Sequence, residues 1–88
     1  MHYNWIMNKI YYQPKALKQL RKIPLQKEIR EKIKALAYMP QCANVKALTS
    51  HACQYRLRVG HYRVFFNFDG AVKIVSIEEV KKRDESTY

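Results

Sequence analysis

The stretch YRLRVGHYRVFFNF, residues 55–68, decides the fold because it reads as two strands joined by a tight turn. Apolar and arginine residues alternate along the first strand, so one of its faces is apolar and the other is basic. Gly60 and His61 separate the strands, and a two-residue loop that begins with glycine is typical of a β-hairpin. The turn predicts a register with four cross-strand pairs: Val59 with Tyr62, Arg58 with Arg63, Leu57 with Val64 and Arg56 with Phe65.

The basic face of this predicted hairpin collects Arg56, Arg58 and Arg63. Like charges directly opposite one another destabilise a sheet, because their Cβ atoms lie only about 5 Å apart. A bound phosphate would turn that repulsion into forked, charge-assisted hydrogen bonds. The pattern therefore favours a phosphate-binding surface over its alternative, an ordinary solvated sheet face. Phe65 shares this face, and we expect its ring to be exposed where a base could stack on it, whereas the other aromatic residues belong to the core.

The rest of the chain predicts one strand before the hairpin in sequence, one strand after it, and two helices. NKIYY (8–12) predicts an opening strand, and AVKIVSI (71–77), entered through an Asp-Gly turn, predicts a last one that continues to Glu79. Apolar residues at helical spacing predict helices over 14–23 and 25–39, each with one apolar stripe that must lie on a sheet. The expected order is β-α-α-β-β-β, an α+β domain with both helices on one side of a mainly antiparallel, twisted sheet, followed by a charged C-terminal tail.

A chain of 88 residues supports one hydrophobic core, so we expect a single domain over 7–88 and a poorly ordered leader over 1–6. Cys42 and Cys53 stand without a CxxC motif or a Cys/His cluster, which predicts free thiols in a reducing cytoplasm and no zinc site. No apolar run is long enough to span a membrane, and no signal peptide is recognisable. These features predict a soluble, cytoplasmic protein without a membrane partner.

Charge is the strongest compositional signal, with seventeen Lys and Arg residues against seven Asp and Glu. Residues 1–77 hold fourteen of the bases and only three of the acids, so the last eleven residues are slightly acidic. An excess of this size predicts a polyanionic partner, either nucleic acid or an acidic protein, and binding that weakens as salt rises.

The sequence offers no familiar pair of catalytic residues. Its three histidines fall in the leader, the long loop and the hairpin turn, and no carboxylate cluster is suited to magnesium. If the protein is an enzyme, we expect chemistry without a metal or cofactor, carried by arginines and a tyrosine.

The segment YRLRVGHYRVFF, followed by a strand and the tail VKKRDESTY, resembles the RelE/ParE toxins of type II toxin–antitoxin systems. The likeness to the RelE branch implies an mRNA endoribonuclease (mRNA interferase) that cuts in the ribosomal A site and inhibits translation. In that chemistry a 2′-hydroxyl attacks the neighbouring phosphate without a metal. The resemblance implies that Arg56 and Arg58 neutralise the nucleophile and the phosphate, Arg63 grips the scissile phosphate, Arg83 supports the leaving group, and Tyr88 deprotonates the 2′-hydroxyl or stacks on a base.

Other basic and aromatic residues would contact RNA: Lys15, Lys18, Arg21, Lys22, His61, Phe65, Lys81 and Lys82. The resemblance also implies a cognate antitoxin, which in many such systems carries a DNA-binding domain, so that operator DNA is reached only through the antitoxin. Two other functions remain open for the sequence. One is a ParE-like poison of DNA gyrase with the same fold and no nuclease site, and the other is a basic RNA-binding protein without catalysis.

Overall fold

The structure, a computed structural model, describes residues 7–83 as two helices packed on a five-stranded sheet. The strands are β1 (Lys9–Tyr12), β2 (Val45–Ala47), β3 (Tyr55–Val59), β4 (Tyr62–Asp69) and β5 (Ile74–Lys82), and the helices are α1 (Pro14–Arg21) and α2 (Gln26–Lys34). The sheet order is β1-β5-β4-β3-β2, with β1 parallel to β5 and every other pair antiparallel. The α+β class and the mainly antiparallel sheet are confirmed. The predicted leader, residues 1–6, lies outside the described residues.

The predicted element order is wrong in one place, because the loop expected over 40–52 contains β2. This strand has three residues and pairs with β3 at the edge of the sheet. Three residues are too few to show a periodic pattern, so the sequence gives no signal for it.

The ends of several predicted elements also shift, and α1 ends at Arg21 instead of residue 23. The second helix ends at Lys34, and a 3₁₀ turn continues over Ala35–Tyr38, a tightening that is common at the C-terminus of a helix. The Asp-Gly turn is longer than expected, because Gly70 to Lys73 lie outside the strands and Asp69 Oδ1 accepts hydrogen bonds from the N–H groups of Ala71 and Val72. The last strand runs three residues beyond Glu79, to Lys82.

One hydrophobic core joins the helices to a single face of the sheet. From the helices it takes Ala16, Leu20, Ile29 and Ile33, which are at most 1% exposed. From the sheet it takes Leu57, Val59, Val64, Phe66, Val75, Ile77 and Val80. Full burial of such side chains stabilises a fold by about 1.5 to 3 kcal/mol each. The spacing of apolar residues assigns Leu25 to the apolar stripe of the second predicted helix. In the structure Leu25 lies just before α2 and is 54% exposed.

A β-bulge in β5 decides which of its side chains face this core. Phe65 pairs with Glu79 and Phe66 pairs with Ile77, so Glu78 is the extra residue. Strict alternation from Ile77 would turn Glu79 inward and Val80 outward. The bulge reverses that order, because one inserted residue exchanges the faces of all residues that follow it. Val80 therefore lies in the core, and Glu79 lies on the opposite face.

Helix α1 also protects part of an open strand edge. β1 pairs only with residues Ile74 to Ile77 of β5, which leaves the C-terminal half of β5 without a neighbouring strand on that side. There the N–H of Val80 donates to Oε1 of Gln19 in α1 at 2.6 Å. A side chain thus replaces the missing strand, and α1 covers an edge that could otherwise pair with another chain.

Candidate functional site

A cationic pocket of about 180 Å³ lies on the sheet face opposite the helices. Four arginines line it together with the hairpin loop: Arg56, Arg58, Arg63, Arg83, Gly60 and His61. We call it the arginine pocket. All four arginines come from the predicted catalytic set, so the structure brings together every described member of that set.

The β3–β4 hairpin builds the pocket through the register that its turn predicts. The four predicted pairs are all present, including Arg58 opposite Arg63. The described pairing of β3 with β4 is regular, and the pairing of β4 with β5 contains the bulge. Gly60 has a φ of 58°, a left-handed conformation that favours glycine and fits the first position of a type II′ turn. A Cβ atom at Gly60 would meet no atom within 4 Å, so backbone conformation and not space explains the glycine.

The fourth arginine reaches the pocket because the strand pairing continues past β5. The N–H of Arg83 donates to the carbonyl oxygen of His61 at 2.6 Å, which ties the start of the C-terminal tail to the hairpin loop. Arg83 therefore lies beside three arginines that precede it by at least twenty residues in the chain. The bond gives a physical reason for the proximity of Arg83 that no local sequence pattern contains.

Two lysines extend the positive charge across the same face of the sheet, the one opposite the helices, which we call the arginine face. Lys81 lies opposite Arg63 on β5, and Lys46 lies opposite Arg56 on β2. Lys81 is one of the predicted RNA contacts. Lys46 was missed, because its place on this face follows only from recognising β2 as a strand.

Mutual repulsion is visible in the electrostatics of the arginine pocket. Partial burial lowers the pKa of Arg56 from its ordinary value, and the nearby charges of Arg63 and Arg58 lower it further. Each of these causes disfavours a protonated guanidinium, so the pocket concentrates charge at some cost to the folded state. An anion in the pocket would remove that cost.

Glu79 is an acidic residue of β5 that lies on this cationic face. Its carboxylate lies 3.0 Å from Lys15 Nζ and 3.4 Å from Lys81 Nζ. Burial alone would raise the pKa of Glu79, but the hydrogen bond from Lys15 and the charges of Lys81 and Lys15 outweigh it and hold the pKa below its usual value. Glu79 therefore stays ionised and links the first turn of α1 to the rim of the arginine face.

The expected exposure of Phe65 is wrong. Its side chain lies on the arginine face, as the register predicts, but the residue is only 8% exposed. The ring of His51 stacks on it with centroids 4.9 Å apart and planes 13° from parallel. The N–H of Cys53 donates to His51 Nδ1 at 2.9 Å and fixes that ring. Because residues far apart in sequence make this contact through an irregular loop, the pattern of β4 could not reveal it.

The other predicted RNA contacts lie outside the arginine pocket, apart from His61 in its loop. Lys18, Arg21 and Lys22 are exposed on and just after α1, which packs on the other face of the sheet, and Lys82 is exposed at the end of β5. Tyr88 lies outside the described residues. Both cysteines are free thiols, as predicted. Within residues 7–83, no three His, Cys, Asp or Glu side chains form a group that could hold a metal, and no helix is long and apolar enough to cross a membrane.

Comparison with known proteins places this chain in a family. The profile of the ParE toxin of the type II toxin–antitoxin system parDE matches residues 10–87. The chain belongs to the RelE/ParE superfamily of type II toxins. The predicted resemblance to RelE/ParE toxins is confirmed. Among curated proteins, no match to this toxin is found.

Solved structures of RelE proteins share the fold of this toxin. The toxin–antitoxin complex RelBE2 from Mycobacterium tuberculosis matches with a TM-score of 0.77 and 23% identity, over 89% of this chain and 100% of that one. The archaeal RelE–RelB complex from Pyrococcus horikoshii OT3 has a TM-score of 0.74 and 23% identity, over 90% and 98% of the two chains. The isolated Escherichia coli RelE toxin has a TM-score of 0.74 and 18% identity, over 91% and 88%. At these identities the likeness establishes the fold alone.

Proposed function

We propose that this toxin is a metal-independent endoribonuclease that cuts mRNA, with the ribosomal A site as the place of cleavage. The observation that carries the proposal is the convergence of four arginines on one pocket of about 180 Å³. A gyrase poison acting by protein contact has no need for such a set. A phosphodiester does, because guanidinium groups bind phosphate oxygens through paired hydrogen bonds and stabilise the charge that develops during attack.

The proposed reaction begins when the 2′-oxygen of one ribose attacks the adjacent phosphorus. The bond between phosphorus and the 5′-oxygen of the next nucleotide breaks, leaving a 2′,3′-cyclic phosphate and a free 5′-hydroxyl. In this scheme Arg63 grips the scissile phosphate, while Arg56 and Arg58 neutralise the nucleophile and the non-bridging oxygens. Arg83 supports the leaving oxygen electrostatically, since a guanidinium with a pKa above about 12 is a poor proton donor; water supplies the proton.

Tyr88 is proposed as the base that takes the proton from the 2′-hydroxyl. A tyrosine with an ordinary pKa near 10 is a weak base at neutral pH, and a group of arginines favours its ionised form. Tyr88 lies five residues beyond Arg83. Arg83 itself is tied to the hairpin loop and lines the arginine pocket.

The expected partners follow from the same charge distribution. A cognate antitoxin with an acidic or amphipathic segment would cover the arginine face or displace the C-terminal tail. The structural relatives include toxins solved with RelB antitoxins. The exposed bases of α1 would face ribosomal RNA. The action of such a toxin places it in the cytoplasm.

A ParE-like gyrase poison is the second candidate, favoured by the family profile that matches residues 10–87. Induction of the toxin in bacteria separates the two functions. We expect new mRNA 5′ ends at codon-related positions within minutes, no double-strand breaks, and loss of the new ends with Arg63→Ala. Lys27→Ala, which removes a charge from the exposed surface of α2, should cut like the wild type. DNA breaks and an SOS response without new mRNA ends would instead establish the gyrase poison.

A further inference from the structure

A second depression, of about 600 Å³, lies on the arginine face of the sheet near the β4–β5 turn. Its polar lining comes from Gln54, Asn67, Asp69 and Ser76, and none of the lysines or arginines between residues 7 and 83 contributes to it. We call it the amide groove. Arg63 in the arginine pocket and Asn67 in the amide groove are four residues apart on β4, which corresponds to about 13 Å along a strand.

Backbone hydrogen bonds hold both amide side chains of the groove in a fixed orientation. The N–H of Gln54 donates to Asn67 Oδ1 at 2.7 Å, and the N–H of Phe68 donates to Gln54 Oε1 at 2.9 Å. Because a backbone N–H can only donate, the atoms that receive these bonds must be the amide oxygens. The two NH₂ groups are therefore oriented as donors, and neither has an acceptor among residues 7–83.

The carboxylate of Asp69 adds a hydrogen-bond acceptor to the two amide donors of the groove. Oδ1 of Asp69 accepts from the N–H groups of Ala71 and Val72, which fixes the side chain, while Oδ2 receives no hydrogen bond from the described residues. The hydroxyl of Ser76 is already engaged, since it accepts from Gln13 Nε2 and donates to the Glu78 carboxylate. The groove thus offers two fixed donors and one fixed acceptor to a ligand.

An exposed aromatic ring adjoins the groove on the neighbouring strand. Tyr11 of β1 lies beside Ser76 of β5 and is 52% exposed, whereas Tyr12 turns toward the core. A tyrosine on this face provides a surface on which any base can stack. Stacking and hydrogen bonding are therefore available within one patch.

From these contacts we propose that the amide groove binds a nucleobase of the RNA strand whose phosphate occupies the arginine pocket, and that it selects bases with an exocyclic amino group. Adenine, cytosine and guanine each place an amino donor near an acceptor, which matches Asp69 and the amide NH₂ groups. Uracil has no amino group for Asp69, and its one ring donor, N3–H, lies between two carbonyl oxygens that the carboxylate would repel. The choice of RNA as ligand rests on the proposed function, whereas the base preference rests on the groove itself.

Short oligonucleotides that cannot be cleaved test the base preference separately from catalysis. Fluorescence polarisation would measure the binding of 2′-O-methyl hexamers of adenosine, cytidine and uridine to the purified toxin. We expect the adenosine and cytidine hexamers to bind at least about fivefold more tightly than the uridine hexamer, the range that one good base contact provides. Equal affinities, or no binding of any hexamer, would overturn the proposal.

Two variants of equal charge assign the preference to the groove. Asp69→Asn keeps the oxygen that caps Ala71 and Val72 but replaces the free acceptor with a donor, so the uridine discrimination should fall to within about twofold. Glu28→Gln removes the same charge from the exposed surface of α2 and should leave the ratio unchanged. Tyr11→Ala should weaken all three hexamers alike. If Asp69→Asn preferred the adenosine and cytidine hexamers over the uridine hexamer as strongly as the wild type does, the proposal would be wrong.

The outcomes for the groove and for the nuclease can be told apart. If the toxin discriminates among the hexamers but cuts no mRNA, the proposed base preference of the groove stands and the proposed nuclease function is wrong. If the toxin cuts mRNA but binds the three hexamers equally, the proposed nuclease function stands and the proposed base preference of the groove is wrong.

Discussion

The two faces of β4 are made by alternate residues of one strand, yet their effects on the folded state are opposite. Val64 and Phe66 are fully buried against the helices and stabilise the protein. Arg63, between Tyr62 and Val64 in the chain, turns to the other face and lies opposite Arg58 and Lys81. One hydrogen-bonded register therefore fixes both the hydrophobic core and the arginine pocket.

The core explains why the protein folds, whereas folding alone does not explain the arginine face, which needs a ligand. Two unit charges 4 Å apart repel by about 1 kcal/mol in bulk water and about 4 kcal/mol at an effective dielectric of 20. Splayed side chains relieve much of this, but folding alone gives no reason to gather the charges. Variants of each face should accordingly separate stability from activity.

The largest expected effect comes from the core face. Phe66→Ala removes a fully buried ring and should lower the free energy of unfolding by about 3 to 5 kcal/mol, measured by urea denaturation. Val72→Ala is the matched control, because Val72 is 60% exposed in the β4–β5 turn; it should change stability by less than about 0.5 kcal/mol. A loss below about 1 kcal/mol for Phe66→Ala would show that this face is not the core.

On the arginine face, Arg63→Ala should reduce the rate of mRNA cleavage by at least about a hundredfold, because it removes a group that stabilises transition-state charge. Antitoxin binding, measured by titration, should be retained, and the free energy of unfolding, measured in urea, should not fall, because removing one of two facing arginines relieves repulsion. Cleavage at the wild-type rate would remove Arg63 from the site. A variant that unfolded would mean that the arginine face also supports the fold.

Tyr88→Phe should slow cleavage by at least about tenfold, since the phenol can no longer accept the proton of the 2′-hydroxyl. Single-turnover cleavage rates would measure the loss. Full activity of Tyr88→Phe would assign the proton transfer to another group.

A smaller effect of opposite sign is expected for Arg58→Gln. Removing one of two facing arginines relieves repulsion, so the free energy of unfolding should rise by up to about 1 kcal/mol in low salt and less in high salt. Lys73→Gln, which removes a charge from the exposed β4–β5 turn, serves as the control. Destabilisation by Arg58→Gln in low salt would contradict the stated cost of the arginine face.

The smallest effect concerns pH and Glu79. Since the pKa of Glu79 is lower when folded than when unfolded, its stabilisation is fully present above the unfolded pKa of about 4.5 and is lost as pH falls through the folded value. Glu79→Gln should therefore lose less stability than the wild type between pH 6 and pH 3, measured by thermal unfolding. Glu28→Gln is the control. Parallel curves for wild type and Glu79→Gln would show that the links to Lys15 and Lys81 contribute nothing.

The sequence predicts those parts of the structure that depend on local pattern. Gly60 and His61 set the turn, the turn sets the register, and the register places Arg58 opposite Arg63, so most of the arginine pocket follows from the sequence. Arg83 joined the predicted site only through the family resemblance. Its physical cause is the hydrogen bond to the carbonyl of His61, a long-range contact.

The missed features depend on contacts that have no periodic signature. The bulge at Glu78 exchanges the faces of Glu79 and Val80, which alternation alone assigns the other way. The stack of His51 on Phe65 joins an irregular loop to a strand and buries a ring expected to be exposed. The amide groove likewise depends on Gln54 and Asn67, which are thirteen residues apart and meet only across the β3–β4 pair.

Cleavage of one defined message on purified ribosomes would show whether the arginine pocket cuts RNA. Primer extension would locate the cut, and 5′-phosphorylation of the product would reveal a free 5′-hydroxyl. The wild-type toxin should cut within the A-site codon and leave that hydroxyl, while Arg63→Ala should be inactive and Lys27→Ala fully active. An intact message after incubation with the wild-type toxin would contradict the proposed nuclease function. Cutting by Arg63→Ala at the wild-type rate would show that the arginine pocket is not the site of cleavage.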